Sequence, residues 1–411
     1  MQAQARTWTD ISGRTLEAEM LGVEMDRVVV LMPGRTRASI PVANLSANDQ
    51  TWVKTWAEGK TPEALLPPPV WPETVQQPEV HLTEAKDSGT KFIFRSPHYE
   101  FSCDDQVSVS VMTDFATVAE GTVRLLEALP IHWPRADGKT FHARIFTSRN
   151  GYQEAGGPAG SSGVYITGNI SGEGVLLVPF QSLGIEKFNG RNTKSFGYKD
   201  TVMIHEMVHQ ATGGLLFLMP RWVAEGLAEY GAHMTYRNGV FYFTERDRQL
   251  ALRNRLEYYD RLSKDIIAKN PEAAGNLPAA WIMTPSELMS RPERDWNTAN
   301  RARGAQIQLH RMYLSSMYLV YYFMHFADNG EARRIRVYFD RLTAASRYFA
   351  SRGREGFLPS DAPVNVSGQG GLAMPDLEQY FLKELIGDQP ISSLDADFRK
   401  RFATLGIRVS E

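Results

Sequence analysis

The chain of 411 residues has a single cysteine, Cys103, so no intrachain disulfide can form and pairing says nothing about the redox compartment. Beside Asp104-Asp105 and without a nearby histidine, that thiol also lacks what a nucleophile needs. Long hydrophobic runs are missing too. The most apolar stretch, near residues 317–326, is far short of the ~20 residues a spanning helix requires. Nor is there an excess of one charge: 45 Lys and Arg oppose 47 Asp and Glu, and a net charge of −2 sets up no global field to draw nucleic acid or an anionic membrane. The basic stretch Arg333-Arg334-Ile335-Arg336, backed by Val337, Phe339 and Leu342, reads as a solvated helix face. The glycine-rich segments Gly156-Gly157-Pro158-Ala159-Gly160 and Gly168-Asn169-Ile170-Ser171-Gly172 lack the Lys-Ser/Thr ending of a phosphate loop. No internal repeat is present. The first residues have no hydrophobic signal core, yet Ala3-Gln4-Ala5 has the small-x-small pattern left by signal peptidase. The expectation is a processed export product that works secreted, in a periplasm or at a cell surface.

What is present is ordinary globular usage, 43% hydrophobic and 22% charged, over a length that allows two to four domains or a bilobed enzyme with an appendage. Residues 6–56 read as short alternating strands: Leu16-Glu17-Ala18-Glu19-Met20, Asp26-Arg27-Val28-Val29-Val30-Leu31, a Pro33-Gly34 turn, and Ala38-Ser39-Ile40-Pro41-Val42. This predicts a small all-β unit over residues 1–57. Arg6-Thr7-Trp8-Thr9-Asp10, Gly13-Arg14, Glu17-Ala18 and Leu45-Ser46-Ala47-Asn48-Asp49 within it resemble the SH3-like Sla-one homology domain. That resemblance implies a peptide-binding barrel, here a spacer or docking module with a peptide or protein partner. Residues 58–80 hold Pro62, Pro67, Pro68, Pro69, Pro72 and Pro78 and read as an extended, semi-rigid linker.

Beyond the linker, Lys91-Phe92-Ile93-Phe94 and Tyr99-Glu100-Phe101-Ser102-Cys103 predict a hairpin around Ser96-Pro97-His98. Val111, Phe115, Val118, Val123, Leu126 and Leu129 recur at helical spacing until Pro130 ends the pattern. Strands resume at 141–147, and Gly174-Val175-Leu176-Leu177-Val178-Pro179 is a short strand stopped by its proline. After residue 200 the pattern is largely helical.

Asp200-Thr201-Val202-Met203-Ile204-His205-Glu206-Met207-Val208-His209-Gln210 opens an amphipathic helix, with Asp200 or Thr201 placed to cap it. At 1.5 Å and ~100° per residue, His205 and His209 share a face about 6 Å apart, so both imidazoles can meet one zinc ion at ~2.0–2.1 Å. Glu206 beside them can take a proton from water as general base. An HExxH arises by composition on the order of once in a hundred such chains, so a second signal is needed. It comes sixteen residues after His209, where Glu225 and Glu229 of Arg221-Trp222-Val223-Ala224-Glu225-Gly226-Leu227-Ala228-Glu229-Tyr230 lie at i and i+4. Two histidines and one glutamate leave a fourth position open, as hydrolytic zinc sites require.

Together these motifs resemble the gluzincin metallopeptidases, particularly the branch with aminopeptidase-like catalytic domains. The resemblance implies His205, His209 and Glu225 as zinc ligands, Glu206 as base, and Glu229 holding a ligand histidine in its tautomer. It also implies an oxyanion-stabilising tyrosine on a later helix, where Tyr313-Leu314-Ser315-Ser316-Met317-Tyr318-Leu319-Val320 fits, with Ser316 where a glycine is often found. Tyr313 is the expected donor. The alternative is that Tyr313, Tyr318, Tyr321 and Tyr322 form the buried stripe of a helix, with His310 and His325 as reserve donors. An edge strand beside a zinc helix can pair with an extended peptide, and Gly174, Val175 and Leu176 are the expected substrate-binding residues. The Gly-x-Met-Glu-Asn signature of the aminopeptidases is missing before His205, which leaves endopeptidase action or another exopeptidase mode open.

The expected architecture is α+β: the SH3-like module, the linker, and a gluzincin-like domain over 81–411. That domain has an α/β part at 81–214, containing the zinc helix, and a mostly helical part at 215–411, with a peptide or protein substrate in the cleft between them. The expected activity is zinc-dependent peptide-bond hydrolysis. The competing class is a zinc-containing binding or scaffold protein, and a further variant has the linker covering the cleft.

Overall fold

The computed structural model describes residues 6–24, 26–32, 37–57, 69–86, 92–131, 140–167, 174–189, 191–195, 200–272, 278–296, 305–351, 358, 362–363, 374–387 and 389–411. The Ala3-Gln4-Ala5 pattern, the Pro33-Gly34 turn, residues 58–68 of the linker and the Gly168–Gly172 loop lie outside the described residues. The protein is mixed α/β, and no described helix is long and apolar enough to cross a membrane.

A four-stranded antiparallel sheet comes first, β1 (Arg6–Thr9), β2 (Thr15–Glu24), β3 (Arg27–Leu31) and β4 (Arg37–Pro41), paired in chain order. Alternation turns Trp8, Ala18, Val28 and Val30 into a small core of their own, closed by Leu45 and Val53. The expectation of an all-β unit needs correcting, because residues 47–57 form a helix, α1 (Ala47–Ala57). Asp49 in its first turn is buried and accepts from Thr9 N at 2.7 Å and from the Arg6 guanidinium, so the helix start is tied to β1. The helix turns Val53 and Trp52 inward, too few apolar positions for the periodicity to show. The unit is fastened to the helical part by Arg347 to Glu19 at 2.5 Å, and by Arg341, which donates to Trp56 O at 2.6 Å and covers the Trp56 ring.

The linker is also only half a linker. Its described end carries β5 (Thr74–Gln76), and Val75, Val80 and Trp71 pack into or against the main core. The main sheet contains β6 (Thr83–Lys86), β7 (Phe92–Arg95), β8 (Tyr99–Cys103), β9 (Phe141–Phe146), β10 (Val164–Thr167) and β11 (Gly174–Pro179), ordered β10-β11-β9-β8-β7-β6. β9 runs parallel to both neighbours and the other pairs are antiparallel. Between β8 and β9 runs α2 (Val109–Ala128), where Ser108 Oγ accepts Val111 N, and all six apolar positions read from the sequence are buried. A short α3 (Arg149–Glu154) and a hairpin, β12 (Ile185–Phe188) with β13 (Arg191–Lys194), complete this half.

The second half is built by α4 (Thr201–Ala211), α5 (Arg221–His233), the hairpin β14 (Thr235–Arg237) with β15 (Val240–Tyr242), and α6 (Glu245–Lys269). β15 also pairs with β5, so the linker's last residues become the third strand of that small sheet. The helices α7 (Pro285–Met289), α8 (Glu293–Trp296), α9 (Ala305–His325), α10 (Arg333–Ala350), α11 (Met374–Ile386) and α12 (Ile391–Ala403) follow. Helix α9 is the central pillar, buried on nearly every side from Met312 to Met324. It crosses α5 closely at Gly226, where an added Cβ would sit 2.4 Å from the Ser316 carbonyl oxygen. Only glycine permits that approach. Glu225, the residue before Gly226, and Tyr313, one turn before Ser316, are thereby brought to the same cleft.

Candidate metal centre

Helix α4 lies against β10 and β11 on one side and against α5 on the other. Its N-terminal position is held by Asp200, whose carboxylate takes Lys194 Nζ at 2.8 Å and makes no side-chain cap. One helical turn separates His205 from His209, and their Nε2 atoms lie 3.2 Å apart. From α5, Glu225 Oε2 stands 3.1 Å from His205 Nε2 and 3.3 Å from His209 Nε2. These spacings test whether a metal fits. Ligand bonds of ~2.0–2.1 Å around a tetrahedral ion give edges of about 3.3–3.4 Å, and the three observed edges are within a few tenths of that. The three side chains could hold a metal ion.

The surroundings fix these three side chains. His205 Nδ1 is 3.2 Å from Glu229 Oε1, so the Nδ1–H donates to that carboxylate and leaves Nε2 facing the cluster. Glu229 is in turn bound by Arg255, whose Nε donates to Oε2 at 2.7 Å and whose Nη2 donates to Tyr259 Oη at 2.6 Å. Burial alone would raise the Glu229 carboxyl, but Arg255 and the neighbouring histidines hold it well below the usual carboxylate range. Glu225 behaves alike: burial opposes its charge, and His209, His205 and Arg221 hold it well below the usual range. Burial lowers the His205 imidazole, yet hydrogen bonds to Glu225 and Glu229 outweigh it and raise it to about 10.

A pH dependence follows for the metal-free protein. A histidine raised from about 6.5 when unfolded to about 10 when folded contributes stability that is complete below pH 6.5 and lost as pH rises through 10. The depressed carboxyls contribute above their unfolded range near 4.5 and lose it on acidification. Urea unfolding in chelator should therefore show a midpoint that is highest near pH 5–6.5 and falls toward pH 10, with a shallower fall in His205→Gln. Equal alkaline slopes in the two proteins would remove the His205 contribution.

Glu206 points into the same cleft, and its Oε2 accepts the backbone N–H of Tyr165 at 3.0 Å. Gly163 makes room for this, since a Cβ there would come within 3.3 Å of Glu206 Cγ. Tyr313 lies with its ring 6.1 Å from that of His205 and stacked on Trp296. Burial, together with the carboxylates of Glu225, Glu206 and Glu229, pushes its phenol far up, so it stays a protonated donor. The other tyrosines of that helix are core: Tyr318 donates to Leu252 O at 3.0 Å, Tyr322 to Asp397 at 2.7 Å, and Tyr321 is buried. His325 bonds Tyr230 Oη at 2.9 Å beneath Trp71, away from the cleft. His310 lines the cleft beside Tyr259, and burial followed by the Arg255 charge lowers it to about 4.

One expected site is displaced. Gly174, Val175 and Leu176 belong to β11, which is paired on both sides, antiparallel to β10 and parallel to β9. Its backbone groups are spent in the sheet, so β11 cannot receive a peptide. At this end of the sheet the outer strand among the described residues is β10, and it is β10 that touches Glu206. Sequence reading also missed Arg221, Arg255 and Trp296. Arg221 had a signal, its i,i+4 spacing to Glu225; Arg255 and Trp296 had none, because they meet the site only through helix packing. The cleft holds about 1950 Å³, walled by residues of β10 and α6 and floored by α4 and α5. A scan of protein-family models finds no match to this chain, and searches of curated proteins and of solved structures likewise find no match.

Proposed function

We propose that this chain is a zinc metallopeptidase of the gluzincin type, with an SH3-like N-terminal module that docks a peptide or protein partner. The observation that carries the reading is the convergence of His205 Nε2, His209 Nε2 and Glu225 Oε2, with the Glu206 carboxylate beside them, on the floor of a cleft. Two imidazoles and one carboxylate suit zinc and leave a position open. Zinc, when bound, supplies Lewis-acid polarisation and lowers the pKa of water.

The chain's own groups do the rest. Glu206 Oε2 is engaged by the Tyr165 amide, which fixes the carboxylate plane, and Oε1 takes the proton of the attacking water and returns it to the leaving amine. Tyr313, held protonated, donates from Oη to the oxygen of the carbonyl under attack. Glu229 keeps the His205 ring in one tautomer. An extended chain would add to the outer edge of β10, with backbone hydrogen bonds aligning it past Glu206.

Mass-spectrometric profiling of a diverse peptide library tests this. Zinc-loaded wild type should cleave internal or terminal peptide bonds, and chelator should abolish cleavage. Zinc bound without cleavage of any peptide would replace the peptidase by a zinc-containing binding protein.

A further inference from the structure

Arg221 opens α5 at its first helical position, and its Nε forms an ion pair with Glu225 Oε1 at 2.8 Å, one turn along the helix. Helix energetics does not account for a cation there. The first turn of a helix carries partial positive charge, which repels an arginine. An Arg placed four residues before a Glu is also the less favourable order for a helical ion pair. The residue thus violates two local preferences at once, beside a candidate ligand carboxylate, and such violations concentrate at functional positions.

The geometry gives the reason. Glu225 divides its two oxygens: Oε2 faces both histidine Nε2 atoms at 3.1 and 3.3 Å, while Oε1 is taken by Arg221. A carboxylate without that second partner can turn and present both oxygens to one cation. The Arg221 side chain is 43% exposed, lines the cleft, and lies beside the Tyr313 phenol. We propose that Arg221 is a positioning residue: by holding Oε1 it restricts Glu225 to one-oxygen ligation, which keeps the open position free, and it steadies the Tyr313 hydroxyl next to that position. This rests on the metal-site reading above.

The test uses the full chain, with zinc and cobalt(II) alone as probes. Arg221→Met should lower zinc affinity about 10- to 100-fold in chelator competition, as loss of an outer partner does. The visible absorption of its cobalt form should weaken, as expected for a higher coordination number. Arg221→Lys, which restores the charge but not the planar fork, should recover part of the affinity without recovering the spectrum. Circular dichroism of the metal-free variants should keep the wild-type helix content, since the side chain lies at the cleft surface. Wild-type affinity and spectrum in Arg221→Met would overturn the inference while leaving the metal site standing. A fall in affinity with an unchanged spectrum would reduce Arg221 to a simple charge and overturn the positioning role. Failure of wild type itself to bind zinc would overturn the metal site, and this inference with it.

Discussion

Glu206→Gln should keep wild-type zinc content and lose turnover by about 10²- to 10⁴-fold, the range that a general base contributes. The amide is the same size as the carboxylate, and Glu206 lies outside the trio His205 Nε2, His209 Nε2 and Glu225 Oε2, so the candidate metal-holding atoms are untouched. What changes is the proton acceptor. The substituted side chain can still accept the Tyr165 amide through its carbonyl oxygen, so β10 stays in place. The NH₂ group that replaces the second oxygen cannot take a proton from water. The measurement is metal content after dialysis together with initial cleavage rates on the best library peptide. Unchanged turnover in this variant would remove Glu206 as base and leave the cleft without a proton acceptor at the right place.

His209→Ala should do the reverse and lose the metal itself. Two donors, His205 and Glu225, would remain, and zinc affinity should fall by more than the about 10- to 100-fold that loss of an outer partner costs. The readout independent of catalysis is thermal. Free zinc at 100 times its dissociation constant stabilises a folded protein by about 2.7 kcal/mol, and this stabilisation should disappear in the variant at the same zinc concentration. The imidazole lies at the cleft surface, 13% exposed, so its removal leaves no large internal cavity. A zinc-dependent rise in melting temperature equal to that of wild type would mean that zinc binds elsewhere. The two substitutions therefore separate holding the ion from using it.

The contrast between the well-read and the misread parts has a physical basis. The pair His205 and His209 was legible because 3.6 residues per turn puts i and i+4 on one face in any α-helix. The same arithmetic linked Glu225 to Glu229. Tyr313 stood out only by resemblance, and the structure separates it from Tyr318, Tyr321 and Tyr322 because α9 is packed on all sides except where it meets the cleft. Strand β11 was placed correctly along the chain and wrongly in space. Its apolar run, Val175-Leu176-Leu177-Val178, is what a strand between two others needs, and the edge went to the more polar Val164–Thr167. The linker was misread in its second half for a related reason: Thr74–Gln76 is too short to signal a strand until β15 lies beside it.

The sequence by itself determined the His205–His209 pair, the carboxylate beside it and the helix that carries them, since these depend on spacing within α4, while Glu225 as their companion was implied by the resemblance and is brought to them by the packing of α5 on α4. It also determined that the sequence holds one cysteine, no apolar run of spanning length and no dominant charge. Tertiary structure alone decided which strand lies at the sheet edge, that Gly226 lets α5 and α9 approach closely enough to share a cleft, and that Arg255 reaches Glu229 across 26 residues of chain. Helix geometry is local and repeats with a fixed period, so positions within one helix can be computed from residue numbers. Sheet order and helix crossings are settled by which surfaces bury best against one another, and that depends on every element at once.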